Sequence, residues 1–220
     1  MKIRELCSFL LHHAKNKSMN IFGRHKNAQE EAIVQKSTEY LRKLVIACLA
    51  EKENHGIGFA LEEWKEFFIT HGFWLENEGL WDFMAVGKES VVYKSRYENV
   101  VYKVKYGNGF VITILGAMSH NILFPDTFYS FVGFTSYQDK IAVVLKQKFV
   151  NGTHATYPQI ERYLKANGFK YYYMIGCIEA RKNGIRCADI CPKNAIFADG
   201  KTYIIDASFA FSGKMPCVFG

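Results

Sequence analysis

Only 4 of the 220 residues are proline, and no repeat or low-complexity tract interrupts the chain, which excludes collagen-like and linker-type sequences. Charge is modest at 22%, and apolar residues make up 49%, aromatics 15%, so intrinsic disorder is excluded and a packed core is expected. No secretory signal is recognised. The six cysteines are therefore expected to be reduced thiols in a cytoplasmic protein. No His-x-x-x-His pair and no Cys-x-x-Cys pair occurs. The spacing of Cys187 and Cys191, with Cys177 upstream, is too loose for the usual zinc pairs. Residues 106–125 lack Asp, Glu, Lys and Arg over nearly the length of a membrane span. Gly107, Asn108, Gly109, Ser119, His120 and Asn121 would be costly in hydrocarbon, so this stretch is expected to be a buried helix with loops, and no membrane partner is expected.

What is present begins with a basic balance, 28 Lys and Arg against 21 Asp and Glu, for a net charge of +7. That suits an acidic or phosphorylated partner. The basic stretch 12–26 lacks interleaved aromatics, so nucleic acid is not expected.

Apolar residues recur at helical spacing through the first 80 residues, with Trp64, Phe67 and Phe68 on one face of a helix expected over 61–70. After residue 80 the period falls to two. Val91-Val92-Tyr93-Lys94-Ser95-Arg96 and Val100-Val101-Tyr102-Lys103-Val104 predict a hairpin. Further strands are expected over 130–137 and 141–147, and a helix over 157–166 stopped by Asn167-Gly168. The Tyr171-Tyr172-Tyr173 run reads as a buried strand or helix start. A second hairpin is expected around Asp199-Gly200. The fold class is α+β.

Three features carry chemistry. The turn Gly87-Lys88-Glu89-Ser90 between strands can aim N–H groups at a phosphate, though it has one glycine where a dinucleotide loop has three. Lys103 shares a strand face with Val101 and Lys105. It can neutralise phosphate oxygens, and its plainer reading is an edge-strand charge that guards against aggregation. Finally, Asp189-Ile190-Cys191-Pro192-Lys193-Asn194 precedes a hairpin that ends at Ile205-Asp206. Phosphoryl transfer needs one carboxylate near the acceptor hydroxyl and an oxygen pair for Mg²⁺. Taken singly, these are turn formers or caps.

Together, in this order, they resemble the protein-kinase fold. The Gly87-Lys88-Glu89-Ser90 loop resembles that of RIO-type kinases. Closer still is the kinase-like domain of polyvalent proteins from phages and conjugative elements, through Asn121-Ile122-Leu123-Phe124-Pro125-Asp126-Thr127, Val132-Gly133-Phe134, Leu145-Lys146-Gln147-Lys148-Phe149-Val150-Asn151-Gly152, Ala166-Asn167-Gly168-Phe169 and 189–206. The resemblance implies a minimal bilobal kinase-like fold: a helical extension over 1–80, an antiparallel N-lobe sheet over 81–152, and a reduced C-lobe over 153–220. It implies that Gly87, Lys88, Glu89 and Ser90 cover the phosphates of ATP and that Lys103 contacts the α and β phosphates. Val92 and Val101 would roof the adenine, and Gln147, Lys148 and Phe149 would form the hinge. Asp189 would serve the acceptor hydroxyl, and Asn194 with Asp206 would hold Mg²⁺.

Three departures shape the expectation. No acid lies between Lys103 and Asp126 to act as the helix-C glutamate, Cys187 and Ala188 precede Asp189 where kinases carry His and Arg, and Ala207-Ser208 replace Phe-Gly. Only 14 residues follow Asp206, fewer than a peptide-holding activation segment and helical lobe need. The leading expectation is an ATP- and Mg²⁺-dependent kinase acting on a protein hydroxyl. The alternatives are a nucleotide-binding pseudokinase without turnover and a small-molecule kinase.

Overall fold

The computed structural model describes residues 61–76, 81–107 and 109–211, apart from the side chains of 210 and 211. Most of the expected helical extension over 1–80 lies outside these residues. Its last helix, α1, spans Leu61–Thr70, as its apolar spacing predicts.

A five-stranded antiparallel sheet follows, built from β1 (Trp81–Val86), β2 (Ser90–Ser95), β3 (Val100–Lys105), β4 (Tyr129–Tyr137) and β5 (Lys140–Lys148) in the order β1-β2-β3-β5-β4. Lys103 therefore sits in the middle strand, between β2 and β5, and is 5% exposed. The edge-strand reading of this lysine is corrected. The charge-free stretch becomes helix α2 (Phe110–Leu123), which ends in a short 3₁₀ turn, Pro125–Thr127. Its residues from Ile114 onward are mostly buried, and it packs on β4 and β5.

Helix α1 reaches the same core through aromatic contacts. Phe68 stacks on Phe134 with centroids 3.6 Å apart, and Trp64 and Phe110 close the cluster. The chain after α1 then runs against β4, with Leu75 N–H donating to the Phe134 carbonyl and Phe134 N–H to that of Phe73. Gly133 permits this. A Cβ there would lie 2.6 Å from the Phe73 carbonyl oxygen.

Beyond β5 come β6 (Thr153–His154), α3 (Tyr157–Ala166), β7 (Lys170–Met174), β8 (Cys177–Lys182), β9 (Ile185–Ile190), a 3₁₀ turn (Pro192–Asn194), β10 (Ala195–Ala198), β11 (Lys201–Ile204) and β12 (Ser208–Phe211). Helix α3 matches its sequence expectation. Gln159 reaches back to the Thr156 N–H at 2.8 Å, and Gly168 ends the helix with φ +72°. The β10–β11 hairpin turns on Asp199-Gly200, both at positive φ, and β6 adds to β10.

The meander β7-β8-β9, joined by β12 into a four-stranded sheet of order β12-β9-β8-β7, was not foreseen. Nor is the tyrosine run buried. Tyr172 and Tyr173 lie on the outer strand β7 at 41% and 54% exposure, which corrects the buried reading.

Gly152, between β5 and β6, is held by close approach. A Cβ there would lie 2.4 Å from the Phe197 carbonyl oxygen and 2.9 Å from Ala198 Cβ. Because a backbone atom must give way, Gly152→Ala is expected to cost about 1–3 kcal/mol as an overpacking substitution. Urea denaturation checks this, and an unchanged midpoint would contradict it.

Candidate active site

A cleft of about 1150 Å³ opens between the five-stranded sheet and the β9–β11 region. All thirteen residues nominated from sequence line it: Gly87, Lys88, Glu89, Ser90, Val92, Val101, Lys103, Gln147, Lys148, Phe149, Asp189, Asn194 and Asp206.

The roof is the β1–β2 turn. Gly87 N–H donates to the Ser90 carbonyl at 2.8 Å, and the Glu89 carbonyl accepts from Tyr106 N–H at 3.0 Å. The Glu89 side chain lies against Gly107, where a Cβ would come within 2.4 Å of Glu89 Cγ. The turn is thus tied to the segment that leads from β3 into α2. Val92 pairs with Lys103, and Val101 with Gln147.

The expected hinge is only partly available. Gln147 pairs with Val101 on one side and Tyr129 on the other, and its buried amide donates to the Thr127 carbonyl at 2.6 Å. Phe149 N–H donates to the Asn99 carbonyl at 3.0 Å. Lys148 stands opposite Val100 in the same ladder, but because Phe149 N–H binds Asn99 the Lys148 backbone groups face away from β3, so Lys148 and the following Val150, both on the cleft wall, remain as the hinge candidates.

Lys103 crosses the cleft. Its Nζ donates to Tyr129 Oη at 3.0 Å and to the Ile205 carbonyl at 2.7 Å, and it stands 3.9 Å from Asp206 Oδ2. Lys105, two residues along the same strand face, donates to Asp206 Oδ1 at 3.1 Å. Burial pulls the Lys103 ammonium down to about 8, opposed by the Asp206 carboxylate. Burial alone would raise the Asp206 carboxyl, but the Lys103 and Lys105 ammoniums overcome it and hold the group well below its ordinary value.

On the opposite side, Asp189, next to the last residue of β9, stands at φ +57°. It lies in a bulge where β9 gains residues against β8, between the pairs Ile178↔Ile190 and Ala180↔Cys187. Such a bulge re-aims a side chain. Asn194 Nδ2 donates to the Asp189 backbone carbonyl at 2.8 Å and to Asp189 Oδ2 at 2.9 Å, and Lys193 Nζ is 3.6 Å from Oδ1. The Asn194 carbonyl in turn accepts from Ile205 N–H at 2.9 Å and Asp206 N–H at 3.4 Å. Asp189, Asn194, Asp206 and Lys103 therefore form one continuous polar chain.

Sequence reasoning did not nominate Lys105 or Tyr129. Lys105 was legible as the i+2 neighbour of Lys103, whereas nothing local marks Tyr129, 26 residues from the lysine it touches. Cys187 and Cys191 are thiols that donate to the carbonyls of Ala180 and Asp189. Among the described residues, no three His, Cys, Asp or Glu side chains cluster as a metal site, and no helix is long and apolar enough to cross a membrane.

A central-strand lysine facing an Asp-x-x-x-x-Asn turn and a hairpin-end aspartate is an arrangement of the kinase class. Residues 60–212 match the family described as serine/threonine/tyrosine kinase found in polyvalent proteins, and the chain belongs to that family. It is a kinase-like phosphotransferase by family. No curated protein matches the chain.

Asp206→Asn keeps the shape of the site but leaves two ammoniums without their carboxylate. The native carboxyl titrates below its ordinary 3.8, so its stabilisation is complete above that pH and drains away as the pH falls below it. Asp206 is 30% exposed, so the variant is expected to lose about 1–3 kcal/mol at pH 7, less than a fully buried pair would. Denaturation midpoints should show this gap narrowing below pH 3.8. A gap of equal size at pH 7 and well below pH 3.8 would contradict the assignment.

Proposed function

We propose that the chain is an ATP- and Mg²⁺-dependent phosphotransferase of phage or mobile-element type, which moves the γ-phosphoryl group to a serine, threonine or tyrosine hydroxyl of a protein. The supporting observation is the polar chain from Asp189 through Asn194 to Asp206 and Lys103, set along one wall-to-wall cleft. Residue 81–152 strands form the nucleotide side, and residues after 152 the acceptor side.

The residues present fit a magnesium ion. Asp206 is held ionised, and the Asn194 amide nitrogen is spent on Asp189, leaving its oxygen as a second hard donor. Mg²⁺ favours a few such oxygens together with phosphate and water. When bound, it would neutralise charge on the transferring phosphates. Lys103 and Lys105 then supply two cationic groups to the remaining oxygens, and the Gly87-Lys88-Glu89-Ser90 turn covers them. Lys148 and Val150 present backbone groups to the adenine edge under Val92 and Val101. Asp189, fixed through Asn194, orients the acceptor hydroxyl and takes its proton as the oxygen bonds to the γ-phosphorus. The bond to the bridging oxygen breaks, and ADP leaves. A cytoplasmic setting suits the three described free thiols.

One observation favours binding without turnover. Both Asp206 oxygens lie within 3.4 Å of Lys105 Nζ, so the carboxylate already has a cation. A transfer assay separates the two readings. Mg²⁺-ATP is expected to raise the Tm of the wild type and not that of Lys103→Met or Asp206→Ala. Asp189→Ala is expected to retain binding while losing transfer to a generic protein acceptor, or to itself, by about 100-fold or more. Binding with no transfer in the wild type would support the pseudokinase. Transfer confined to small hydroxyl compounds would support the small-molecule alternative.

A further inference from the structure

Helix α2 carries no acid: its sequence is FVITILGAMSHNIL. Its buried polar residues are Ser119, His120 and Asn121, and each is committed differently. Ser119 bonds back to the Leu115 carbonyl within the helix, at 2.9 Å. His120 Nε2 faces the Thr127 carbonyl and hydroxyl at 3.0 and 3.1 Å. Asn121 grips the backbone of Tyr129 from both ends, its Nδ2 donating to the Tyr129 carbonyl at 2.9 Å and its Oδ1 accepting from the Tyr129 N–H at 2.6 Å.

Tyr129 is 2% exposed. Its hydroxyl accepts from Lys103 Nζ at 3.0 Å and donates to the Ile205 carbonyl at 3.0 Å, and its ring lies 5.1 Å beneath the same ammonium. A helix amide thus fixes a tyrosine, and the tyrosine fixes the lysine. We propose that Tyr129, held by Asn121, is a positioning residue that anchors the Lys103 ammonium and couples it to helix α2 through a neutral hydroxyl, where a carboxylate on the helix is absent.

The proposal concerns Lys103 in the phosphate role assigned above, and rests on that reading only for its consequence, not for the contact itself. A buried ammonium needs every one of its donors directed. Ile205 supplies a backbone acceptor and Asp206 a more distant charge, so the hydroxyl is the side-chain acceptor within hydrogen-bond reach. Because it is neutral, it adds no negative charge to compete with a polyphosphate for the lysine. Movement of α2 would move Tyr129 and with it Lys103, which gives the helix a mechanical hold on the site.

The test uses the full chain labelled with ¹⁵N-lysine, with Lys103→Arg to assign the signal. The readout is the exchange rate of the Lys103 ammonium protons with water, which needs no nucleotide. Tyr129→Phe keeps the ring and removes only the hydroxyl. It is expected to speed this exchange about tenfold or more, the worth of one charge-assisted hydrogen bond, and to weaken Mg²⁺-ATP binding by a similar factor. Asn121→Ala, which leaves the hydroxyl in place, is expected to do the same to a smaller extent and serves if Tyr129→Phe does not fold. Unchanged Lys103 exchange in whichever variant folds would overturn the proposal, whatever happens to nucleotide. Faster exchange in a protein whose wild type binds no Mg²⁺-ATP would uphold the anchor and overturn the nucleotide reading instead.

Discussion

The buried ammonium of Lys103 is the constraint from which the rest of the site follows. Leaving such a charge without partners costs several kcal/mol, and its partners come from two places far from β3: Tyr129 opens β4, and Ile205 and Asp206 lie about a hundred positions downstream. Whenever the chain is folded, these segments must meet. The end of β11 is thereby pinned against the five-stranded sheet, and its N–H groups reach the Asn194 carbonyl. Asn194 holds Asp189. One desolvated charge thus sets the separation between the two walls of the cleft.

Charge balance around that point is unusual for a buried site. Two ammoniums share a single carboxylate, Asp206. Beside them, burial and the Lys103 charge push the His120 imidazole down to about 3, so it stays neutral at physiological pH. The pocket floor is left with a net positive character, which suits a polyanion. Tyr129 remains a protonated phenol, its pKa raised by burial and by Asp206, and it can serve as acceptor to the lysine and donor to a carbonyl at once.

Much of this was legible in the sequence where the cause is local. Helix α3 carries its own stop signals in Asn167-Gly168, and the β10–β11 hairpin its turn in Asp199-Gly200. Asp189, Asn194 and Asp206 could be nominated because a five-residue spacing and a hairpin are short-range features. The β8–β9 hairpin has an equally strong turn, Asn183-Gly184 at positive φ, yet its strands were missed. The bulge lies on β9, where Ala188 and Asp189 together stand opposite Glu179, so the alternation begun by Ile185 and Cys187 slips by one residue before Ile190 and no longer marks a strand. The exposure of Tyr172 and Tyr173 was hidden for a different reason, since strand propensity does not say which strand lies outermost. Tyr129, Gly133 and Gly152 owe their roles to segments far away in the chain, and no local pattern encodes such meetings.

A structure with a non-hydrolysable ATP analogue and Mg²⁺ bound would bear most directly on the convergence of Lys103, Asp189, Asn194 and Asp206 on one triphosphate. The cation should sit on Asp206 and the Asn194 amide oxygen, with Lys105 released from Asp206, Lys103 on the phosphates, and Asp189 open to the acceptor side. An analogue bound away from this cleft, or one whose phosphates turn from Lys103 while Lys105 keeps its bond to Asp206, would contradict it.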